Sequence, residues 1–200
     1  MLRSSSETGR QGSSAADATE REEVRLIVGV ASGELAAFEA LYRNYHPRLM
    51  RFLDRMTRRP ALVEELINDT MMVVWRKADR YNGMSKVSTW IFAIAYRKAL
   101  KALQKLDDAV EDDQAGEHAD PNPNPEQLLG QRELQAVLMR ALDGLSAEHR
   151  AVVNLTYFHE VAYREIAEIV DCPEDTVKTR MFHARRRLKT LLPGTLADWL

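Results

Sequence analysis

The stretch Tyr163–Leu188, YREIAEIVDCPEDTVKTRMFHARRRL, decides the fold. Ile166, Ala167 and Val170 make the inner face of a short first helix, and Ala167 is small enough for a second helix to cross closely. Asp171 stands where the chain must turn, and Asp tolerates the left-handed backbone better than most residues. Pro173 suits the turn or a first helical position. Glu174 and Asp175 put negative charge where a helix dipole favours it. Val177, Met181, Ala184 and Leu188 recur at four, three and four, the buried stripe of a second helix. This pattern predicts a helix-turn-helix.

The other faces of that second helix carry Lys178, Thr179, Phe182, His183, Arg185, Arg186 and Lys189. A helix seated in a DNA major groove needs this division: side chains for base edges in its first turns, cations for phosphates on its flanks. Phe182 is the most informative, because a large aromatic facing solvent is costly unless it meets a partner. A solvated basic helix on a small bundle would share the charge pattern, so the helix alone leaves both readings open.

Cys172 is the only cysteine, so the chain has no disulfide staple and no cysteine cluster, which fits a reducing cytoplasm. It reads as a small buried group in the turn. His183 lies eleven positions further on, roughly 16 Å by helical rise, and is no partner for it. His46, His118, His149 and His159 show no ligand spacing, so neither metal nor cofactor is expected. No nucleophile–base pair or Gly-rich phosphate loop suggests an enzyme. No apolar run approaches the length of a membrane span, and the Ser-, Gly- and charge-rich start does not read as a secretory signal.

Net charge is −2 over 200 residues, but it is unevenly spread. Residues 107–126 hold eight acids and no Lys or Arg; without them the chain stands at +6. This acidic run leads into DPNPNPEQ, whose alternating prolines cannot continue a helix, so 107–127 reads as a flexible linker. Residues 1–21 lack periodicity and read as a disordered extension.

Between these, 22–106 is helical in pattern throughout. Val24, Ile27, Val28 and Ala31 suggest one stripe; Phe38, Leu41, Tyr42, Tyr45, Leu49, Phe52 and Leu53 a second. Leu66, Ile67, Thr70, Met71, Val74 and Trp75 give a third, and Ile91, Ile94, Ala95, Leu100 and Leu103 a fourth. Residues 128–193 continue with an amphipathic Leu128–Leu142, a break at GLS, and Ser146 as N-cap of the helix carrying Val152, Val153 and Leu155. The expected fold is all-α: two small helical domains joined by the acidic, Pro-containing linker, the second a four-helix domain containing the helix-turn-helix. Residues 194–200 form a tail.

Two further features lie in the first domain. VEELINDTMMVVWRKADRY (Val63–Tyr81) has an apolar side and a face of Glu64, Glu65, Asn68, Asp69, Met72 and Arg76. YNGMSKVSTWIFAIAYRKALKAL (Tyr81–Leu103) interleaves Tyr81, Trp90, Phe92 and Tyr96 with Lys86, Arg97, Lys98 and Lys101. Aromatics beside cations are what an unstacked nucleic-acid strand needs. Trp90 is also expected to be partly core.

In this order, these features resemble the extracytoplasmic-function (ECF) sigma factors of the sigma-70 family. ELINDTMMVVWRKADRY is similar to the region 2 signature, STWIFAIAYRKAL to the stretch that follows it, and LDGLSAEHRAVVNLTYFHEVAYREIAEIVDCPEDTVKTRMFHARRRL to region 4 from end to end. The resemblance implies a cytoplasmic bacterial protein that binds core RNA polymerase through its clamp helices and flap. It would direct polymerase to particular promoters, help melt the DNA, and often be held by an anti-sigma factor. It implies that Glu65, Asn68, Asp69 and Met72 face the clamp. Tyr81, Trp90, Tyr96, Arg97, Lys98 and Lys101, with the Tyr81–Ser88 loop, would meet the melted minus-ten element. Lys178, Thr179, Phe182 and His183 would read the minus-thirty-five element, with Arg180, Arg185, Arg186 and Lys189 at phosphates or supporting the fold. The acidic linker would thread polymerase channels. Asn68 and Asp69 stand where the family usually has Gln and Glu, Arg97 where many members have Asn, and His183 where Arg is common. A stand-alone helix-turn-helix regulator is the alternative.

Overall fold

Each break between helices has a local cause. The computed structural model describes residues 8–112, 137 and 139–192, and all regular structure among them is helical. Helix α1 (Thr8–Ala31) stops at Gly33, whose φ of 83° few other residues adopt. Helix α2 (Leu35–Thr57) ends on Arg58 in the left-handed region, and Pro60 opens α3 (Pro60–Lys77) at the position that needs no N–H. A 3-10 turn at Ala78–Arg80 and the Tyr81–Lys86 loop lead to α4 (Val87–Asp112). After a short helical piece at 139–143, Ser146 accepts a hydrogen bond from the His149 amide (3.4 Å) and caps α5 (Ala147–Tyr157). Helices α6 (Tyr163–Val170) and α7 (Glu174–Leu191) follow, with Asp171 between them at φ 52°.

Three expectations need correction. The extension over 1–21 is helical from Thr8 onward, as the start of α1. The buried face of α1 is Glu23, Leu26, Ile27 and Val30, whereas Val24 and Val28 face solvent. Both sets satisfy helical spacing; the charged one wins because Arg48 of α2 donates to Glu23 Oε1 at 2.9 Å. Helix α4 runs six residues past the expected boundary at 106, to Asp112. The remainder of the proposed linker, most of Leu128–Leu142 and the tail lie outside the described residues.

The two halves do not stand apart. Their buried side chains form one cluster from Leu26 through Leu192. Helix α2 is its axis, with Leu41, Tyr45, Leu49, Phe52, Leu53 and Met56 fully buried. It packs on α1, α3 and α4, and on its far end receives α5; α6 packs on α4. A segment as short as the second half buries too little apolar surface alone, and sharing α2 remedies that.

Polar contacts fix this junction. Asn154 Nδ2 donates to the Phe52 carbonyl (2.9 Å), and Arg150 Nε to the Met56 carbonyl (2.8 Å) near the open end of α2. Arg58 pairs with Asp143, and Lys86 with Glu165. The Arg55 guanidinium lies 4.1 Å from the centre of the Phe158 ring. His159 sits edge-on to Phe92 (5.0 Å) and Phe52 (6.0 Å).

Burial first, then Arg48, Arg51 and Arg55, push the His159 pKa down to about 4. The unfolded chain therefore takes up this proton before the folded one does. The contribution of His159 is complete above about pH 6.5 and is lost as pH falls toward 4. Urea midpoints measured from pH 7 to 4.5 should fall less steeply in His159→Phe than in the parent chain; parallel profiles would remove His159 as the cause.

Candidate nucleic-acid interface

Backbone bonds close the turn between α6 and α7. Asp171 and Cys172 amides both donate to the Ala167 carbonyl, the latter at 3.1 Å. Val177, Met181, Ala184 and Leu188 are buried, as their spacing predicts, which fixes the rotation of α7. Lys178, Thr179, Phe182 and His183 then share one exposed face, continued by Arg186 and Lys189. Phe182 is 62% exposed and meets the His183 ring edge-on at 5.5 Å.

The cations of α7 divide into two groups. Lys178 Nζ lies 3.1 Å from both Glu174 and Asp175, whose hydrogen bonds raise its pKa and keep it charged. At the exposed surface such a pair is weak and easily exchanged for a phosphate. Thr179 Oγ1 donates to the Asp175 carbonyl (2.9 Å), which turns its hydroxyl back onto the helix. Arg185 Nε donates to Tyr157 Oη (2.9 Å), tying α7 to α5. Arg180 is half-buried, with Nη1 3.9 Å from Cys172 Sγ, and acts on the Tyr96 hydroxyl. Cys172 itself is half-buried rather than buried.

On α3, Glu65, Asn68, Asp69 and Met72 fall at i, i+3, i+4 and i+7 and all are exposed, Met72 at 48%. Two are already engaged. Tyr42 Oη donates to Asn68 Oδ1 (2.9 Å), and Lys98 Nζ reaches Asp69 Oδ2 (2.7 Å). Beneath them Phe38 packs edge-on against Trp75 at 5.1 Å.

On α4, Trp90 is half-buried against Tyr81, ring centres 5.8 Å apart. Tyr81 Oη donates to the Ser85 carbonyl (2.6 Å), and the Met84 amide to Asn82 Oδ1 (3.1 Å), giving the loop a defined shape with Met84 at its exposed tip. Arg97 and Lys101 are exposed. Lys98 is drawn toward α3 by Asp69. Tyr96 is not at the surface: it is 3% exposed, turned toward Arg180 of the second half.

Three participants escaped the sequence reading. His149 on α5 lies 6.4 Å from His183, ring to ring, and its pKa is lowered by burial, then by His183 and Arg180, against the opposing pull of Glu148. Tyr157 anchors Arg185, and Glu165 holds Lys86. None has a local signature, since each partner is remote in sequence. No group of His, Cys, Asp and Glu among the described residues could hold a metal ion, and no helix among them is long and apolar enough to cross a membrane.

Among the described residues the fold is all-helical, and a basic helix-turn-helix in the second half, with an acidic helical face beside an aromatic and basic one in the first, fits the DNA-binding proteins of transcription initiation. Comparison with known proteins is specific about which. Residues 41–108 match Sigma-70 region 2, and residues 135–188 match Sigma-70 region 4. The ECF RNA polymerase sigma factor RpoE of Cereibacter sphaeroides is 30% identical over 155 residues, 77% of this chain and 85% of that one. The ECF RNA polymerase sigma-E factor of Escherichia coli is 27% identical over 173 residues, covering 82% and 90%. The solved sigma factor RpoE in complex with the anti-sigma factor NepR from Bartonella quintana superposes with a TM-score of 0.63 at 26% identity, covering 77% of this chain and 95% of that one. CnrH, solved with the cytosolic domain of CnrY, shares the fold with a TM-score of 0.64 at 19% identity over 85% and 96%. The chain belongs to the ECF sigma factors of the sigma-70 family.

Arg186 and Arg185 should separate in a salt titration of duplex binding. Removing a phosphate contact at Arg186 (Arg186→Ala) should flatten the slope of log K against log salt by about 0.9. Arg185→Ala should lower the thermal midpoint through the lost Tyr157 bond. An unchanged slope in Arg186→Ala would place that side chain in solvent.

Proposed function

We propose that this chain binds core RNA polymerase, directs it to promoters through the minus-ten and minus-thirty-five elements, and helps open the DNA between them. The observation that carries this reading is the α7 face. Phe182, mostly exposed, is flanked by Lys178, Thr179 and His183 on the second helix of a helix-turn-helix. Burying such a ring is worth about 1.5–3 kcal/mol, a sizeable gain on docking against a thymine methyl or a sugar. Arg186 and Lys189 supply the phosphate contacts.

Family membership supports the remaining roles. Glu65, Asn68, Asp69 and Met72 form the surface for the polymerase clamp, an apolar Met among groups suited to cationic partners. Trp90 and Tyr81 are the stacking platforms for unpaired bases, with Arg97 and Lys101 as the cations beside them. Asp69 and Lys98 hold each other across α3 and α4, so the polymerase surface and the strand-binding surface share a salt bridge. The RpoE relative solved with NepR supports an anti-sigma factor as a further partner. Such a protein works in the bacterial cytoplasm.

Run-off transcription with purified core polymerase and genomic DNA tests the proposal. The chain should confer discrete, promoter-dependent transcripts that core enzyme alone does not make, and silence would refute it. Phe182→Ala should cost about 1–3 kcal/mol at a matched promoter and little at unmatched duplex; equal loss on both would take Phe182 out of base readout. Glu65→Lys with Asp69→Lys should abolish association with core enzyme while leaving the far-ultraviolet circular dichroism unchanged; retained association would refute the clamp assignment.

A further inference from the structure

The exposed polar face of α3 is held by side chains from two other helices. Lys98 of α4 reaches Asp69 Oδ2 (2.7 Å), and His46 Nε2 of α2 lies 3.3 Å from Glu64 Oε2. Tyr42 Oη, also on α2, donates to Asn68 Oδ1 (2.9 Å) across 26 positions of sequence. Asn68 is chemically unlike the two carboxylates. Both oxygens of a carboxylate accept, whereas an amide accepts on one side and donates twice on the other. What position 68 offers a partner therefore depends on which way the amide is turned.

Tyr42 is a fixed anchor for that turn. Its ring lies between those of Phe38 (6.3 Å) and His46 (5.5 Å), one helical turn to either side. Phe38 in turn packs on Trp75 of α3 at 5.1 Å. Burial, then Glu64, raise the Tyr42 pKa, so its hydroxyl keeps its proton and remains a donor. With Oδ1 occupied by that hydroxyl, the Nδ2 group is left for a partner. Glu64 and Glu65 stand four and three positions before Asn68, on the preceding turn. Their negative charge favours an N–H donor beside them and opposes the reversed amide, which would bring its carbonyl oxygen there instead.

We infer that Tyr42 is a positioning residue for polymerase binding: it turns Asn68 so that the amide donates to the clamp, and the group it meets there is a neutral carbonyl oxygen. This rests on the proposed clamp surface. A partner carboxylate at that point would be repelled by Glu64 and Glu65, and a partner cation would meet N–H donors rather than an acceptor. The face thus combines two kinds of contact. Glu65 and Asp69 supply charge, Asn68 supplies a directed donor, and Met72, 48% exposed, supplies apolar area one turn further on.

The test is the affinity of the full chain for purified core RNA polymerase. Asn68→Asp exchanges the amide nitrogen for an oxygen and keeps an acceptor for Tyr42. It should weaken association about tenfold, although it makes the face more acidic, because it sets an acceptor against an acceptor. Unchanged or tighter association, which a cation opposite position 68 would give, overturns the inference. Tyr42→Phe keeps the ring and frees the amide to turn, and should weaken association about two- to fivefold. In an Asn68→Ala background the same substitution should leave association unchanged. Equal loss in both backgrounds overturns the positioning role, because a purely structural Tyr42 would act with or without the amide. The clamp reading fails separately. If Glu65→Lys with Asp69→Lys leaves association intact, the surface itself is wrong; if that pair abolishes association while Asn68→Asp does not weaken it, the directed donor alone is wrong.

Discussion

Phe52 is the point on which both halves of the molecule depend. Its ring is fully buried in α2 and meets Phe92 of α4 at 5.2 Å and His159 of the second half at 6.0 Å. Its carbonyl, already within the helix ladder, takes a second hydrogen bond from Asn154. One residue thus orders the first-half core, the strand-binding helix and the docking of α5. A truncation such as Phe to Ala at a site of this kind typically costs about 3–5 kcal/mol, a large part of a domain's stability.

The division of labour on α7 follows from the same core. Four small or flexible apolar residues set its rotation, and that rotation leaves Phe182 with nowhere apolar to go. The cations nearest the body of the protein, Arg180 and Arg185, are then used inward, on Cys172, Tyr96 and Tyr157. Those further round remain at the surface. Counting basic residues in the sequence overstates the charge available to DNA, because two of the counted arginines hold the fold.

What the sequence disclosed and what it concealed separate by range. The α6–turn–α7 unit, the Ser146 cap, the left-handed Asp171 and the exposed faces of α3 and α7 rest on spacings of three or four residues, which periodicity reports directly. The face of α1 was misread because Glu23 looks like a solvent residue until Arg48, 25 positions away, neutralises it. The docking of the halves rests on pairs 79 to 102 residues apart, two of them ion pairs and two of them side chains bonded to backbone carbonyls, from residue types that occur all along the chain. Nothing local singles those pairs out. The burial of Tyr96 was hidden for the same reason: its sequence neighbourhood of aromatics and bases is that of a strand-binding surface, and the groups near its hydroxyl, Arg180 among them, come from the second half.

The composition of the junction limits its strength. A permanent interface tends to be apolar at its centre and complete in its hydrogen bonds. Here the centre holds Asn154 and His159, each with one buried polar atom unsatisfied among the described residues. Each such atom costs roughly 1–3 kcal/mol, which offsets part of what burying Phe52, Phe92 and Phe158 contributes. The junction therefore orders the second half while giving up part of the stability that its apolar contacts contribute.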